Sequence, residues 1–187
     1  MKRLLSVLMM ALALFGCRQA TQSPTSEPQP SSSDSTTTNA PSSANSDSKM
    51  PDFILPDVNG KQVSLLADIA NHDITIIDFW ASWCGPCMRE IPNLKEAYKK
   101  YKDKGLDIVG VSLDENEVQW KNAIQQMGMS WKHLSDLKGW DSEPVSQLGI
   151  DGIPFMVLVD NQGNILATGL RGQELLQFLE EKLTGKE

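Results

Sequence analysis

The sequence predicts an α/β domain that occupies residues 50–187. Three apolar runs rich in β-branched residues are typical of buried strands, and they cover residues 74–80, 106–113 and 155–159. Segments with a helical spacing of apolar residues separate these runs, and such alternation is typical of a sheet covered by helices. A turn at residues 160–163 then leads into a returning strand and a final helix.

The elements can be assigned in chain order. Val63, Leu65 and Leu66 follow the turn residues 57–60 and indicate a short hairpin at the start of the domain. Three helices are predicted, over residues 87–102, 117–127 and 173–183. The last of them is amphipathic because its leucines fall on one face, and it follows a returning strand predicted at residues 164–167.

Residues 1–16 have the pattern of an export signal. Lys2 and Arg3 provide a positive start, and the apolar run that follows is shorter than the about 20 residues that span a bilayer. The run ends before Gly16-Cys17 in a pattern that resembles the bacterial lipobox, which predicts that Cys17 becomes a lipidated N-terminus. Two alternatives stay open: an uncleaved anchor, or simple secretion with a free thiol at this position.

Residues 17–49 are predicted to be a disordered tether. Residues 18–49 contain no Ile, Leu, Val, Met or aromatic side chain and consist mostly of Ser, Thr, Pro, Gln and Asn. Such a segment buries too little apolar surface to offset its loss of conformational entropy. A lipid on Cys17 followed by this tether would hold a soluble domain off a bacterial membrane, facing the periplasm or the extracytoplasmic space.

Composition narrows the classes of function. The formal net charge is −7, which argues against a broad nucleic-acid-binding surface. The three cysteines resolve into a lipid site at Cys17 and one local pair, Cys84 and Cys87. A single local pair cannot hold a framework of loops together, so a disulfide-stapled mini-protein is excluded.

The cysteine pair stands where a predicted strand gives way to a predicted helix. Only the thiolate form of cysteine attacks a disulfide, and a thiol has an ordinary pKa of about 8.5. The unpaired N–H groups of a helix N-terminus stabilise the anion and lower that pKa. In Cys84-Gly85-Pro86-Cys87 the first cysteine would be the exposed nucleophile, and Cys87, one turn into the helix, the resolving thiol. Pro86 suits an early helical position because its missing N–H would be unpaired there.

Other interpretations of the pair fit its surroundings less well. A structural disulfide rarely occupies a CxxC between a strand and a helix. A zinc site would need two more ligands, and neither His72 nor His133 stands in metal-ligand spacing. Each histidine is interpreted as a surface or loop residue, and no metal or other cofactor is predicted.

Asp78 stands inside the first apolar run, shortly before Cys84. A buried carboxylate is costly unless it is functional or paired, so Asp78 is a candidate for a chemical role. The alternative is that Asp78 points outward from an edge strand.

At these residues the sequence resembles a known family. Residues 78–87 are similar to the active site of thioredoxins, and residues 50–185 resemble the membrane-tethered TlpA/ResA-like disulfide reductases. The resemblance implies a thioredoxin-like fold, in which helices flank a central mixed sheet and an N-terminal β-hairpin is added. It also implies that Asp78 accepts the proton of Cys87.

A second match lies at residues 149–154, which resemble the loop that ends in the family's cis-proline and faces the cysteines. In the family the residue before this proline pairs its backbone with the bound substrate, which implies that role for Ile153. The substrate-binding residues that the resemblance implies are Trp83, Gly85, Pro86, Ile153 and Pro154. The family usually has Thr after the proline, where this chain has Phe155. Pro92 resembles the proline that kinks the active-site helix.

The resemblance implies a reductase of disulfides in exported proteins, re-reduced by a membrane electron donor, with apocytochrome c as the common client of the family. The same chemistry run backwards, as an oxidase or isomerase, is the nearest alternative. A peroxiredoxin-like peroxidase would carry Pro and Thr or Ser upstream of its cysteine, and residues 80–83 lack that pattern. A copper carrier would need a wider cysteine spacing and a matching histidine, and neither is evident.

Overall fold

The computed structural model describes residues 48–185 of the chain. The predicted signal peptide, the predicted lipidation site Cys17 and the tether as far as residue 47 lie outside the described residues. No helix in the described part of the chain is long and apolar enough to cross a membrane.

A two-stranded hairpin opens the domain. Strand β1 (Ile54–Pro56) pairs antiparallel with β2 (Gln62–Ser64). The Asp57 carboxylate closes the turn by accepting from the N–H groups of Asn59 at 2.8 Å and Lys61 at 3.0 Å. The added N-terminal hairpin that the sequence predicted is therefore present.

The residues after the hairpin form a short helix, α1 (Leu65–Ile69), and do not continue the strand. The Ser64 hydroxyl caps this helix by accepting from the Ala67 N–H at 3.2 Å. The prediction that placed Leu65 and Leu66 in the hairpin is wrong, because the cap at Ser64 ends the strand and starts the helix.

A mixed sheet forms the core. Its strands are β3 (Ile74–Trp80), β4 (Leu106–Ser112), β5 (Lys132–Leu134), β6 (Phe155–Asp160) and β7 (Ile165–Thr168). The strand order is β5-β4-β3-β6-β7, with β3 parallel to β4 and antiparallel to β6. Every residue of β3 is buried. The mixed sheet is therefore confirmed, and the strand that leads to the cysteines runs through the interior.

Longer helices flank this sheet. They are α2 (Gly85–Tyr101), α3 (Glu117–Met127), α4 (Glu143–Leu148) and α5 (Gly172–Thr184). Pro92 lies inside α2. Helix α3 has the bounds that the sequence predicted, because the Asn116 side chain caps the Gln119 N–H at 3.0 Å and Gly128 ends the helix in the left-handed conformation.

Strand β5 and helix α4 have no counterpart among the predicted elements. Only Leu134 is strongly apolar in β5, which is a strand because it pairs with β4. His133 on this strand is 3% exposed, so its interpretation as a surface or loop residue is wrong. Helix α4 has Pro144 in its first turn and ends at Gly149 in the left-handed conformation, which are start and stop signals that the sequence did contain.

The first residues that the structure describes lie at the end of the sheet opposite the cysteines. The Ile165 N–H, at the start of β7, donates to the Ser48 carbonyl at 2.9 Å. The turn before β7 follows Asp160, and Asp160 pairs with Ile74, the first residue of β3. Because β3 runs from this end toward the cysteines, the first described residues and the cysteine pair lie at opposite ends of the sheet.

Candidate active site

The cysteine pair sits at the N-terminus of α2. Strand β3 ends at Trp80, and α2 begins at Gly85 with Cys84 as its N-cap residue. The two sulfurs form a disulfide with an S–S distance of 2.02 Å, and Cys84 Sγ accepts from the Cys87 N–H at 3.1 Å. Pro86 occupies the first turn, where a missing N–H costs no hydrogen bond.

The two cysteines hardly differ in exposure. Cys84 is 5% exposed and Cys87 is 3% exposed, so the expectation of an exposed Cys84 is wrong for the disulfide form. The loop that faces the pair is one reason, since Cys84 Sγ lies 3.8 Å from the Ile153 carbonyl oxygen. Cys84 differs from Cys87 in its electrostatic surroundings. Its sulfur accepts a hydrogen bond from the Cys87 N–H at the positive end of helix α2.

The surroundings of the pair divide into an exposed rim and a buried floor. Trp83, directly before Cys84, is 55% exposed, whereas Trp80 is buried. Gly85 and Pro86 are exposed as well. These exposed residues form the surface beside the disulfide that an incoming polypeptide can contact.

Asp78 lies two residues before the end of β3, the strand that leads to the cysteines. It is on the central strand, opposite Gly110 of β4 and Met156 of β6, and it is 4% exposed. The alternative of an outward-pointing residue on an edge strand is therefore wrong. Burial is the main reason that the pKa of Asp78 is raised from 3.8 to about 7; the charge of Glu90 adds to the rise, and that of Arg171 opposes it. A carboxyl group with this pKa can exchange its proton near neutral pH.

The loop before β6 faces the disulfide. Its Ile153–Pro154 peptide bond is cis, and the Arg171 guanidinium donates to the Pro154 carbonyl at 2.5 Å. The next residue, Gly172, donates its N–H to the Glu90 carboxylate at 2.8 Å. Sequence reasoning did not single out Glu90 or Arg171, because these contacts join residues 82 and 17 positions apart in the chain.

A second buried carboxylate holds the segment that precedes the pair. Asp114 accepts from the Ser82 N–H at 2.9 Å, from the Ser82 hydroxyl at 2.5 Å and from the Ser112 hydroxyl at 2.7 Å. Both of its oxygens are therefore occupied by donors. The contact fixes Ser82, two residues before Cys84, against the end of β4.

The histidines lie outside this arrangement. His72 contacts Asp107 at 3.4 Å, and the His133 ring packs against Trp80 and Trp131, with centroid distances of 5.6 Å and 5.9 Å. Burial lowers the pKa of His133 to about 3, so its ring is neutral. Among the described residues, no group of three or more His, Cys, Asp or Glu side chains is placed to hold a metal ion.

The fold and the site together define a class, the thioredoxin-like domains that carry a redox-active dithiol at the start of a long helix. The model of the redoxin family matches residues 45–176 of the chain. The thiol-disulfide oxidoreductase ResA of Bacillus thuringiensis subsp. konkukian is 31% identical over 133 residues, which cover 71% of this chain and 73% of that protein. The chain therefore belongs to the redoxin family, among the ResA-like members of the thioredoxin superfamily.

Solved structures lead to the same assignment. A thiol-disulfide oxidoreductase from Bacteroides fragilis matches with a TM-score of 0.67 at 33% identity, covering 72% of this chain and 98% of that one. The thiol:disulfide interchange protein DsbE from Chlorobium tepidum matches with a TM-score of 0.62 at 31% identity, covering 73% of this chain and 94% of that one. The thioredoxin-like fold and the dithiol oxidoreductase activity on protein disulfides, both predicted from the sequence, are thereby confirmed.

Proposed function

We propose that the chain reduces disulfides of exported proteins, with Cys84 as the attacking thiol and Cys87 as the resolving thiol. The observation that carries the proposal is the 3.1 Å contact between Cys84 Sγ and the Cys87 N–H. A helix N-terminus stabilises a thiolate at that atom, and the thiolate is the attacking form. Cys87, in the first turn of the same helix, forms a disulfide with Cys84, and this disulfide is the product of the proposed resolution step.

The proposed cycle consists of two thiol–disulfide exchanges. The Cys84 thiolate attacks one sulfur of the client disulfide, a bond between Cys84 and the client forms, and the other client sulfur leaves as a thiolate that takes up a proton. The Cys87 thiolate then attacks Cys84 Sγ, which closes the intramolecular disulfide and releases the first client sulfur. Two electrons and two protons pass to the client, and an external dithiol donor must return them.

Asp78 is the proposed proton acceptor for Cys87. The Cys87 thiol must lose its proton before it can attack, and its burial limits access by bases from solution. A carboxyl group with a pKa of about 7 can take up that proton and release it again near neutral pH.

The client is proposed to bind as an extended segment beside the loop that precedes β6. Cys84 Sγ lies 3.8 Å from the Ile153 carbonyl, so a chain whose sulfur reaches Cys84 must pass the Ile153 backbone. The proposed contact residues are Trp83, Gly85, Pro86, Ile153 and Pro154.

The proposed place of work is outside the cytoplasm, with a lipid on Cys17 as the membrane anchor. The support is the export-signal pattern of residues 1–16 and the lipobox-like sequence that ends at Cys17. The proposed clients are exported proteins with disulfides, of which apocytochrome c is the one that the family resemblance implies, and the proposed donor is a membrane dithiol protein. A fatty-acid analogue should label the wild type and not Cys17→Ser; equal labelling of both would remove the anchor from the proposal.

A redox titration and a trapping experiment test the central proposal. Equilibration with glutathione buffers should give a potential near the about −270 mV of thioredoxin, and not the about −120 mV of a strong periplasmic oxidant. Cys87→Ala should trap clients as mixed disulfides through Cys84, and the variant with both cysteines replaced by Ala should trap none. A strongly oxidising potential would assign the chain to the oxidases, and efficient trapping by Cys84→Ala would reverse the roles of the two thiols.

A further inference from the structure

Residues 169–172, which join β7 to α5 and include the first residue of α5, contact both the loop before β6 and helix α2. On one side the Arg171 guanidinium donates to the Pro154 carbonyl at 2.5 Å, in the loop that faces the disulfide. On the other side the Gly172 N–H donates at 2.8 Å to the carboxylate of Glu90, on the helix that carries the cysteines. Two consecutive residues therefore connect the loop before β6 to helix α2.

This loop is itself anchored on the core. The Gly169 N–H donates to the Met156 carbonyl at 2.8 Å, and Leu170 and Leu175 are buried on either side of the connection. The backbone position of Arg171 is thus set by the interior, although the residue itself is exposed.

We propose that Arg171 is a positioning residue that fixes the distance between the Ile153-Pro154 loop and the cysteine helix, and so sets how tightly an extended client binds. The inference rests on the proposed pairing of the client with the Ile153 backbone. A hydrogen bond from a guanidinium to a carbonyl is charge-assisted and directional. Because Pro154 is bonded directly to Ile153, any displacement of the Pro154 carbonyl also displaces the backbone that lies 3.8 Å from Cys84 Sγ.

Arg171 also contributes to the balance of charge around Asp78. Among the described residues, the charged groups that act on Asp78 are Glu90 on α2 and Arg171 before α5. Its neighbours on the adjacent strands, Gly110 and Met156, carry no charge. Glu90 raises the pKa of Asp78 and Arg171 lowers it. Loss of the Arg171 charge should therefore raise this pKa, which leaves fewer molecules able to accept the proton of the resolving thiol at pH 7.

Three variants of the mature chain test the inference: Arg171→Met, Arg171→Lys, and Lys182→Met, which removes one positive charge from the exposed end of α5 as a control. Each is assayed, with dithiothreitol as the dithiol that returns electrons to Cys84 and Cys87 and with the rate without protein subtracted, on insulin, whose disulfides lie within polypeptide chains, and on hydroxyethyl disulfide, which has no backbone to pair. Arg171→Met should raise the KM for insulin by up to about tenfold, the limit set by the energy of the one internal hydrogen bond that no longer orders the loop, and leave the KM for the small disulfide unchanged. Lys182→Met should change neither value.

The pH dependence of the resolution step gives a second test. It would not change if Arg171 had only a structural role. Its midpoint should shift to higher pH in Arg171→Met, whereas Arg171→Lys keeps the charge and should keep the midpoint while its KM for insulin still rises. The inference is overturned if Arg171→Met leaves both the KM for insulin and the midpoint unchanged. It is also overturned if the KM rises equally for both substrates, which would indicate a general distortion of the active site. Failure of the proposed function would look different, because the wild type would then reduce neither substrate.

Discussion

Two buried aspartates, Asp78 on β3 and Asp114 just after β4, differ in how many hydrogen bonds their carboxylates accept. Asp114 accepts hydrogen bonds from the backbone and hydroxyl of Ser82 and from the hydroxyl of Ser112. Asp78 receives no hydrogen bond from any residue that the structure describes, and its pKa is raised to about 7. Both side chains are almost completely withdrawn from solvent.

The two carboxyl groups are thus similarly buried and differ in how far hydrogen bonds compensate the loss of water. The donors around Asp114 replace the water that it loses on folding, so the residue can act as an anchor for the segment before Cys84. Asp78 lacks that compensation, so burial favours its neutral form and brings its proton exchange into the neutral pH range. The number of donors, and not the depth of burial, separates the anchor from the proposed base.

The largest effect expected from this difference is on stability as a function of pH. The folded state retains the Asp78 proton up to about pH 7, whereas the unfolded chain releases it near 3.8. The folded state thus binds more protons in this window, and its free energy of unfolding falls as the pH rises through it, by on the order of 4 kcal/mol in total. Urea unfolding of the disulfide form measures this effect. Between about pH 4 and about pH 8, the free energy of unfolding of Asp78→Asn should rise by this amount relative to that of the wild type.

Thr75→Val is the matched control for that measurement, because Thr75 is also a buried polar residue of β3 and does not titrate. Its stability difference from the wild type should be independent of pH. A flat difference for Asp78→Asn as well would mean that the folded protein compensates the Asp78 charge, and the contrast with Asp114 would disappear.

The next effect concerns Asp114, which holds the segment before Cys84. Asp114→Ala leaves the Ser82 N–H and the Ser112 hydroxyl without their acceptor, and it should lower the free energy of unfolding by about 3 kcal/mol. Asp114→Asn keeps one acceptor oxygen and should lose about half as much. Urea unfolding at neutral pH measures both; a loss below about 0.5 kcal/mol in Asp114→Ala would show that the hydrogen bonds contribute little net stability.

A kinetic comparison separates the two carboxylates by role. Asp78→Asn should slow resolution of the Cys84 mixed disulfide about a hundredfold, equivalent to about 2.7 kcal/mol, because no base then accepts the Cys87 proton. The initial attack by Cys84 should change much less. Quenched-flow mass spectrometry of the mixed disulfide measures both steps. Asp114→Asn is the matched control, and equal slowing by that variant would contradict the assignment of Asp78 as the base.

The smallest effect is expected from Ser82→Ala, which removes one of the donors to Asp114 and keeps the backbone donor. The free energy of unfolding should fall by about 1 kcal/mol. In a double-mutant cycle with Asp114→Asn, most of that loss should be absent, because the acceptor is already weakened. Fully additive losses would argue that the short contact between the Ser82 hydroxyl and Asp114 carries no stabilising energy.

Sequence reasoning predicted the interior of the fold better than its edges. The bounds of β3 and α3 match the predictions, because one is a dense apolar run and the other begins and ends with side-chain and glycine caps. Strand β5 was missed because its strand character comes from pairing with β4, which a single sequence does not display. His133 was misplaced for the same reason.

Some residues of the site could likewise be predicted from the sequence, and others could not. Cys84, Cys87 and Asp78 could be singled out because they lie within ten residues of one another and their types suggest their chemistry. Arg171 and Asp114 could not, because each reaches the site through a tertiary contact with a residue far along the chain. A charged residue on a loop carries no local sign that it will bind a particular carbonyl or amide.

The position of the first described residues has a mechanical consequence. Ser48 is hydrogen-bonded at the end of the sheet that is farthest from the disulfide, so any attachment made through the preceding segment pulls on that end of the domain. An anchor at Cys17, as proposed, would therefore be joined to the domain at the end opposite the cysteine pair. Under that proposal, a change in the length of the segment before Ser48 would alter which partners come within range and leave the intrinsic reactivity of the sulfurs untouched, so that reach and reactivity would be adjusted independently.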